Sequence, residues 1–196
     1  MNGKGLENAS PAVNPREQAI RDMLRGIAEI RTPLRIVPVS EVPEFAEDAL
    51  AKGVVGTKVG QGQVGVVDNK PIRTDNVADC KIFIIKIPGG GGRNRYALAH
   101  IWAGDIDLNL EGHKREDVAK LVNKGSVAIG ITGGRSNSII SAARQFKYEG
   151  VSTVKHIDAP SGNRYVSVVF RPESNEILIR VGADTDATEV LVYEGF

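Results

Sequence analysis

The sequence predicts an α+β fold: a layered sandwich of packed β-sheets with helices on one side. Two observations carry that expectation. Short apolar runs rich in Val and Ile recur from Leu34 to Tyr193, and each is ended by Gly, Pro, Asn or Asp. Only three or four stretches space their apolar residues as a helix does. A chain of 196 residues that is 41% hydrophobic has the length and composition of one domain, or one with an appendage.

Taken in order, residues 1–14 are polar and carry Gly, Asn, Ser and Pro, which predicts a disordered tail. Asn14 and Pro15 supply a cap and first turn for a helix over about 15–31. Ala19, Ile20, Met23, Leu24, Ile27 and Ile30 form its apolar face, a packing face. Leu34 to Val39 is a short strand, and Pro38 puts it at a sheet edge. Residues 43–52 read as a short helix stopped by Gly53. From Val54 to Val67 glycine alternates with valine, which reads as strands about a tight turn at Gly60-Gln61-Gly62, or as close-packed backbone. Gly60, Gly62 and Gly65 match the letters of a dinucleotide fingerprint, but no helix pattern follows and the match is set aside. Residues 15–69 are thus expected to pack as a helix and strands against a domain spanning 70–196, as one globular unit.

The stretch from Thr74 to Asp105 holds the chemistry. Cys80, the single cysteine, opens the apolar run Lys81 to Ile87. Pro88 and four glycines end that run, Arg93-Asn94-Arg95 completes a basic turn, and Tyr96 to Trp102 returns. This predicts a β-hairpin that brings Cys80 and His100 together at its open end. Such a pair can work because the thiolate is the nucleophile and an adjacent imidazole lowers the thiol pKa. Thr74 is placed to orient the imidazole or hold a substrate amide. Without the pairing, Cys80 is a buried structural cysteine and His100 a strand residue. Arginines at the hairpin tip would favour an acidic target surface.

Beyond the hairpin, Arg115 to Asn123 predicts a short helix and Val127 to Ile131 a buried strand. Thr132 to Asn137 is a glycine loop before a helix at 138–149. Its amides could cradle an anion, but it lacks the Gly-Lys-Ser/Thr ending of a phosphate loop, so it reads as a turn with an Asn cap. Val151 to Asp158 is a strand, Arg164 to Phe170 and Glu176 to Val181 form a hairpin, and Glu189 to Tyr193 is the last strand. His113 reads as a loop residue, and His156 packs or faces solvent. Asp184 and Asp186 are turn residues, since the remainder of a calcium loop is missing.

Composition excludes several classes. A net charge of +1 gives no argument for nucleic acid or an anionic membrane, and 5% aromatics are too few for base-stacking platforms. One cysteine excludes an intrachain disulfide framework and a Cys-rich zinc site. No apolar run reaches transmembrane length, and the first residues lack the apolar core of a secretory signal. The expected setting is cytoplasmic, in the chain's own cell or in a target cell if it is delivered as an effector.

The order of these motifs resembles the chemoreceptor glutamine deamidase (CheD) family, whose fold some bacterial toxin deamidases share. The resemblance covers roughly residues 70–180. It is carried by Thr74 with Cys80 six residues later, the apolar strand, the glycine turn and Ala99-His100-Ile101. Gly130-Ile131-Thr132-Gly133-Gly134, Gly150-Val151, Asp158 and Arg164 to Phe170 then follow in the family's order. Where the family usually has Gly-Ser before the cysteine, this chain has Ala78-Asp79. That departure bears on substrate identity more than on reaction type.

The resemblance implies α/β/β layering and catalysis by Cys80, His100 and Thr74. Ala78, Asp79, Gly133 and Gly134 would meet the substrate, and no metal or organic cofactor is required. The implied activity is hydrolysis of a glutamine side-chain amide in a partner protein through a Cys-His thioester. Two alternatives stay open: an inactive CheD-like binding or scaffold domain, and a cysteine amidohydrolase or transglutaminase on another amide.

Overall fold

The computed structural model describes residues 27–30, 32–101, 126–132, 153–158, 165–182 and 187–196. Two mixed six-stranded sheets account for most of them. The first sheet is built, from one edge to the other, of β1 (Ile27–Ile30), β9 (Thr153–Asp158), β8 (Val127–Thr132), β6 (Lys81–Pro88), β7 (Asn94–Ile101) and β4 (Val64–Val67). The second runs β2 (Arg35–Pro38), β12 (Glu189–Glu194), β11 (Glu176–Val181), β10 (Val166–Arg171), β5 (Ile72–Val77) and β3 (Thr57–Val59). Strands from 27–67 therefore lie in both sheets beside strands of 70–196.

The sheets pack face to face because each inner face is a row of alternating apolar residues. Ile82, Ile84, Leu98, Ile129, Ile131 and Ile157 of the first sheet meet Val166, Val168, Phe170, Ile177, Ile179 and Tyr193 of the second, and all are buried. Phe83, Ile85, Ala97 and Ala99, on the other face of the first sheet, are also buried. The helices expected at 115–123 and 138–149 lie outside the described residues, as do most of 15–31 and the tail.

The predicted hairpins form as read. β6 pairs with β7 antiparallel from Lys81↔Ile101 to Pro88↔Asn94, and β10 pairs with β11 from Val166↔Val181 to Arg171↔Glu176. At the tip of the first, Gly91 and Gly92 take φ of 70° and 78°, the left-handed region glycine enters without a Cβ clash. β2 is an edge strand among the described residues, as Pro38 implied, and pairs there with β12.

Two helix expectations are corrected. Ile27–Ile30 is not a helical turn but a strand parallel to β9, in register Ile27↔Val154 to Ile30↔Ile157. Ile-Ala-Glu-Ile fits either period. A sheet edge with unpaired backbone groups, supplied by residues far along the chain, selects the strand. Residues 43–52 hold a 3₁₀ turn at Pro43–Phe45 followed by turns rather than an α-helix. The buried Arg73 explains this, because its guanidinium donates to the carbonyls of Glu44 (2.7 Å) and Ala46 (2.8 Å). A helix would need those carbonyls for itself. Glu44 also accepts from Arg171 at 2.6 and 2.8 Å, which ties this segment to the outer face of the second sheet. There Val42 and Phe45 cover Val169, Leu178, Val190 and Val192.

Two connections switch the chain from the second sheet to the first, and they define one end of the sandwich. One is Gly60–Gln63, between β3 and β4. The other is Ala78–Cys80, between β5 and β6. At the first, a Cβ on Gly65 would stand 2.7 Å from Val59 Cγ2 and 2.8 Å from Thr57 Cγ2, so only glycine permits this close approach of the two sheets. Before the second, β5 carries a bulge. Val166 faces Val77 but Val168 faces Thr74, and Asn76 takes a positive φ of 53°. The extra residue lets Thr74 and Val77 both point inward while Arg73 and Asp75 pair outside at 2.7 Å.

Candidate active site

Cys80, His100 and Thr74 come to the same end of the sandwich interior. Cys80 is 5% exposed, His100 4% and Thr74 fully buried. In the β6–β7 register His100 faces Ile82, and Cys80 lies two residues before Ile82. Alternation therefore puts Cys80 and His100 on one face as diagonal neighbours, roughly 7–8 Å apart at Cα. Lys81 points to the opposite face. Burial alone lowers its pKa.

Thr74 reaches His100 from the other sheet. Its Oγ1 lies 2.9 Å from His100 Nδ1 and 2.8 Å from the carbonyl oxygen of Val59. These two contacts settle the proton positions. A carbonyl only accepts, so the single Thr74 hydroxyl proton goes to Val59. Nδ1 must then be the donor to Thr74, which leaves Nε2 with its lone pair. That Nε2 atom is buried and has no hydrogen-bond partner among the described residues. Burial pushes the His100 pKa down to about 4, so the imidazole is neutral at pH 7. It is thus in the form that accepts a proton at Nε2.

Cys80 and His100 share a face, and no direct hydrogen bond joins them among the described residues, where Nε2 has no partner. Sulfur instead accepts from Gln61 Nε2 at 3.3 Å. The reason is register: the residue directly opposite His100 is Ile82, not Cys80. The tip arginines sit at the far end of an eight-residue strand, which spans roughly 25 Å at about 3.3 Å per residue.

Ala78 and Asp79 form the bend immediately before Cys80, half-buried and exposed respectively. Gly133 and Gly134 lie outside the described residues. No cluster of three His, Cys, Asp or Glu side chains suited to a metal occurs among the described residues. No helix among them is long and apolar enough to cross a membrane.

Sequence reasoning missed Gln61 and the Val59 carbonyl. The Gly60-Gln61-Gly62 turn was legible, but its attachment was not. Gly62 N donates to His100 O at 2.8 Å and His100 N to Gln63 O at 3.1 Å, contacts between residues distant in sequence. No protein-family model matches the chain, and no curated protein matches it.

Proposed function

We propose that the chain is a cysteine-dependent amide hydrolase, and specifically a protein glutamine deamidase. The observation that carries this reading is the Val59–Thr74–His100 chain of hydrogen bonds, which leaves a bare, buried Nε2 on the face that holds Cys80. A structural histidine gains nothing from an unpaired buried nitrogen, whose desolvation is costly. A general base requires one.

In the proposed reaction His100 Nε2 takes the Cys80 thiol proton, and sulfur bonds the amide carbon of a glutamine side chain. The carbon–nitrogen bond breaks as the imidazolium returns its proton to nitrogen, releasing ammonia and leaving a thioester. His100 then takes a proton from water, whose oxygen attacks the thioester carbon, and the thiol is restored. The balance is glutamine plus water to glutamate plus ammonia. The change places a negative charge on a partner protein, an electrostatic switch.

A binding or scaffold role is the second reading, favoured by the absence of a direct Cys80–His100 bond. Iodoacetamide decides between them. The enzyme reading expects rapid alkylation of Cys80 near neutral pH, slowed roughly tenfold or more by His100→Ala, as one unit of thiol pKa requires. His113→Ala and His156→Ala should have no effect. A thiol that reacts only after denaturation would leave the scaffold reading. Ammonia release from intact proteins against small glutamine amides then sets the substrate class.

A further inference from the structure

We propose that Gln61 is a further catalytic residue: its side-chain amide holds the attacking sulfur and then donates to the oxyanion formed when that sulfur bonds a carbonyl carbon. The inference rests on the hydrolase reading above and extends it to a residue outside the Thr, Cys and His set.

Gln61 Nε2 lies 3.3 Å from Cys80 Sγ, within hydrogen-bond range for an N–H donor to sulfur. The amide nitrogen carries two protons and accepts none, so the contact runs from Gln61 to Cys80. Once sulfur bonds a carbonyl carbon, the carbonyl oxygen is attached to sulfur's new neighbour. A donor already touching sulfur then has only a small swing to reach it. The N–H gains most there, because negative charge has moved from sulfur to oxygen.

The loop is built to hold this donor in place. Gly62 N donates to His100 O at 2.8 Å, His100 N to Gln63 O at 3.1 Å, and Gly60 N to Gln63 Oε1 at 3.0 Å. Gly62 takes a φ of 72°, which keeps the turn tight. The segment carrying the donor is therefore fastened to the residue carrying the base. Amide, sulfur and imidazole keep a fixed relation before substrate arrives, and that is what makes such a donor effective. Gln61 is exposed while Cys80 is buried, so the side chain that meets the sulfur is carried by a loop residue open to solvent.

Two probes of the full-length protein test the role. Iodoacetamide alkylates sulfur without forming an oxyanion, whereas p-nitrophenyl acetate acylates it through one. Gln61→Ala is expected to slow acylation by p-nitrophenyl acetate about 100-fold, the effect of losing one oxyanion donor. It should slow iodoacetamide less than about tenfold, the thiolate share alone. Gln61→Glu, which replaces the donor by a carboxylate of equal size, should slow both at least as much as the alanine variant. Equal slowing of both probes by Gln61→Ala, acceleration of both, or no change would overturn the donor role. So would conversion of Gln61 to a carboxylate in wild-type protein but not in Cys80→Ser, since the residue would then be a substrate. A wild-type thiol inert to both probes, or one whose alkylation ignores His100→Ala, would remove the hydrolase reading and this inference with it.

Discussion

Thr74 Oγ1 lies 2.9 Å from His100 Nδ1, a hydrogen bond that crosses from the second sheet to the first through the interior of the sandwich. It joins two residues 26 positions apart. Because Thr74 spends its proton on Val59, the bond also fixes which imidazole nitrogen is bare.

Thr74→Val keeps the shape and removes the hydroxyl. Nδ1–H then loses its acceptor in a closed site, a cost of about 1–3 kcal/mol to stability. The ring also loses what holds its orientation. Iodoacetamide alkylation of Cys80 should slow towards the rate of the His100→Ala variant. A fold that melts a few degrees lower but keeps the wild-type alkylation rate would deny Thr74 an orienting role.

The His100 pKa sets a pH dependence of stability. Its folded value of about 4 lies below the ordinary 6.5, so the unfolded chain binds more protons between those values. Stability is therefore full above pH 6.5 and falls as the pH drops through about 4. The total loss from this group is about 3 kcal/mol. Urea titrations of wild type and His100→Asn between pH 7 and 4 check this. The variant should show a shallower decline, and parallel curves would contradict the burial of a neutral imidazole.

Glu44 is 6% exposed and holds the Arg171 guanidinium at 2.6 and 2.8 Å. Glu44→Ala leaves Arg171 without its main partner and should cost about 3 kcal/mol, as removal of one member of a buried pair does. Cys80 alkylation should not change, because this pair lies on the outer face of the second sheet. A lower urea midpoint with unchanged alkylation is the expected result. Lost reactivity would show that the outer segment supports the site.

Arg93→Ala/Arg95→Ala should leave alkylation unchanged at low and high salt, because the tip stands roughly 25 Å along β6 from Cys80 at about 3.3 Å per residue. The tip still has a surface of its own. Asp68, Arg93, Arg95, Tyr96 and Glu173 line an open groove of about 800 Å³ beside it. A large rate change in the double variant would mean that the tip acts on the site over that distance.

Most strands, the two hairpins and the shared end for Cys80 and His100 were legible in the sequence, because alternation and glycine turns are local signals. β5 was not, since Ile72–Val77 reads as a loop into the hairpin and becomes a strand only by pairing with β10 and β3. The sequence also suggested that Thr74 belongs beside the histidine. It did not show that Ile27–Ile30 is a strand or that 43–52 is no helix. Those outcomes depend on the β9 edge and on Arg73, both brought in by distant parts of the chain. Nor could it place Gln61 on the sulfur or leave Nε2 unpaired. A hairpin's register sets which residues face each other only to within its neighbours. Which polar atoms then meet is decided by two sheets packing together, with the bulge at Asn76 turning Thr74 inward and Gly65 letting the sheets close.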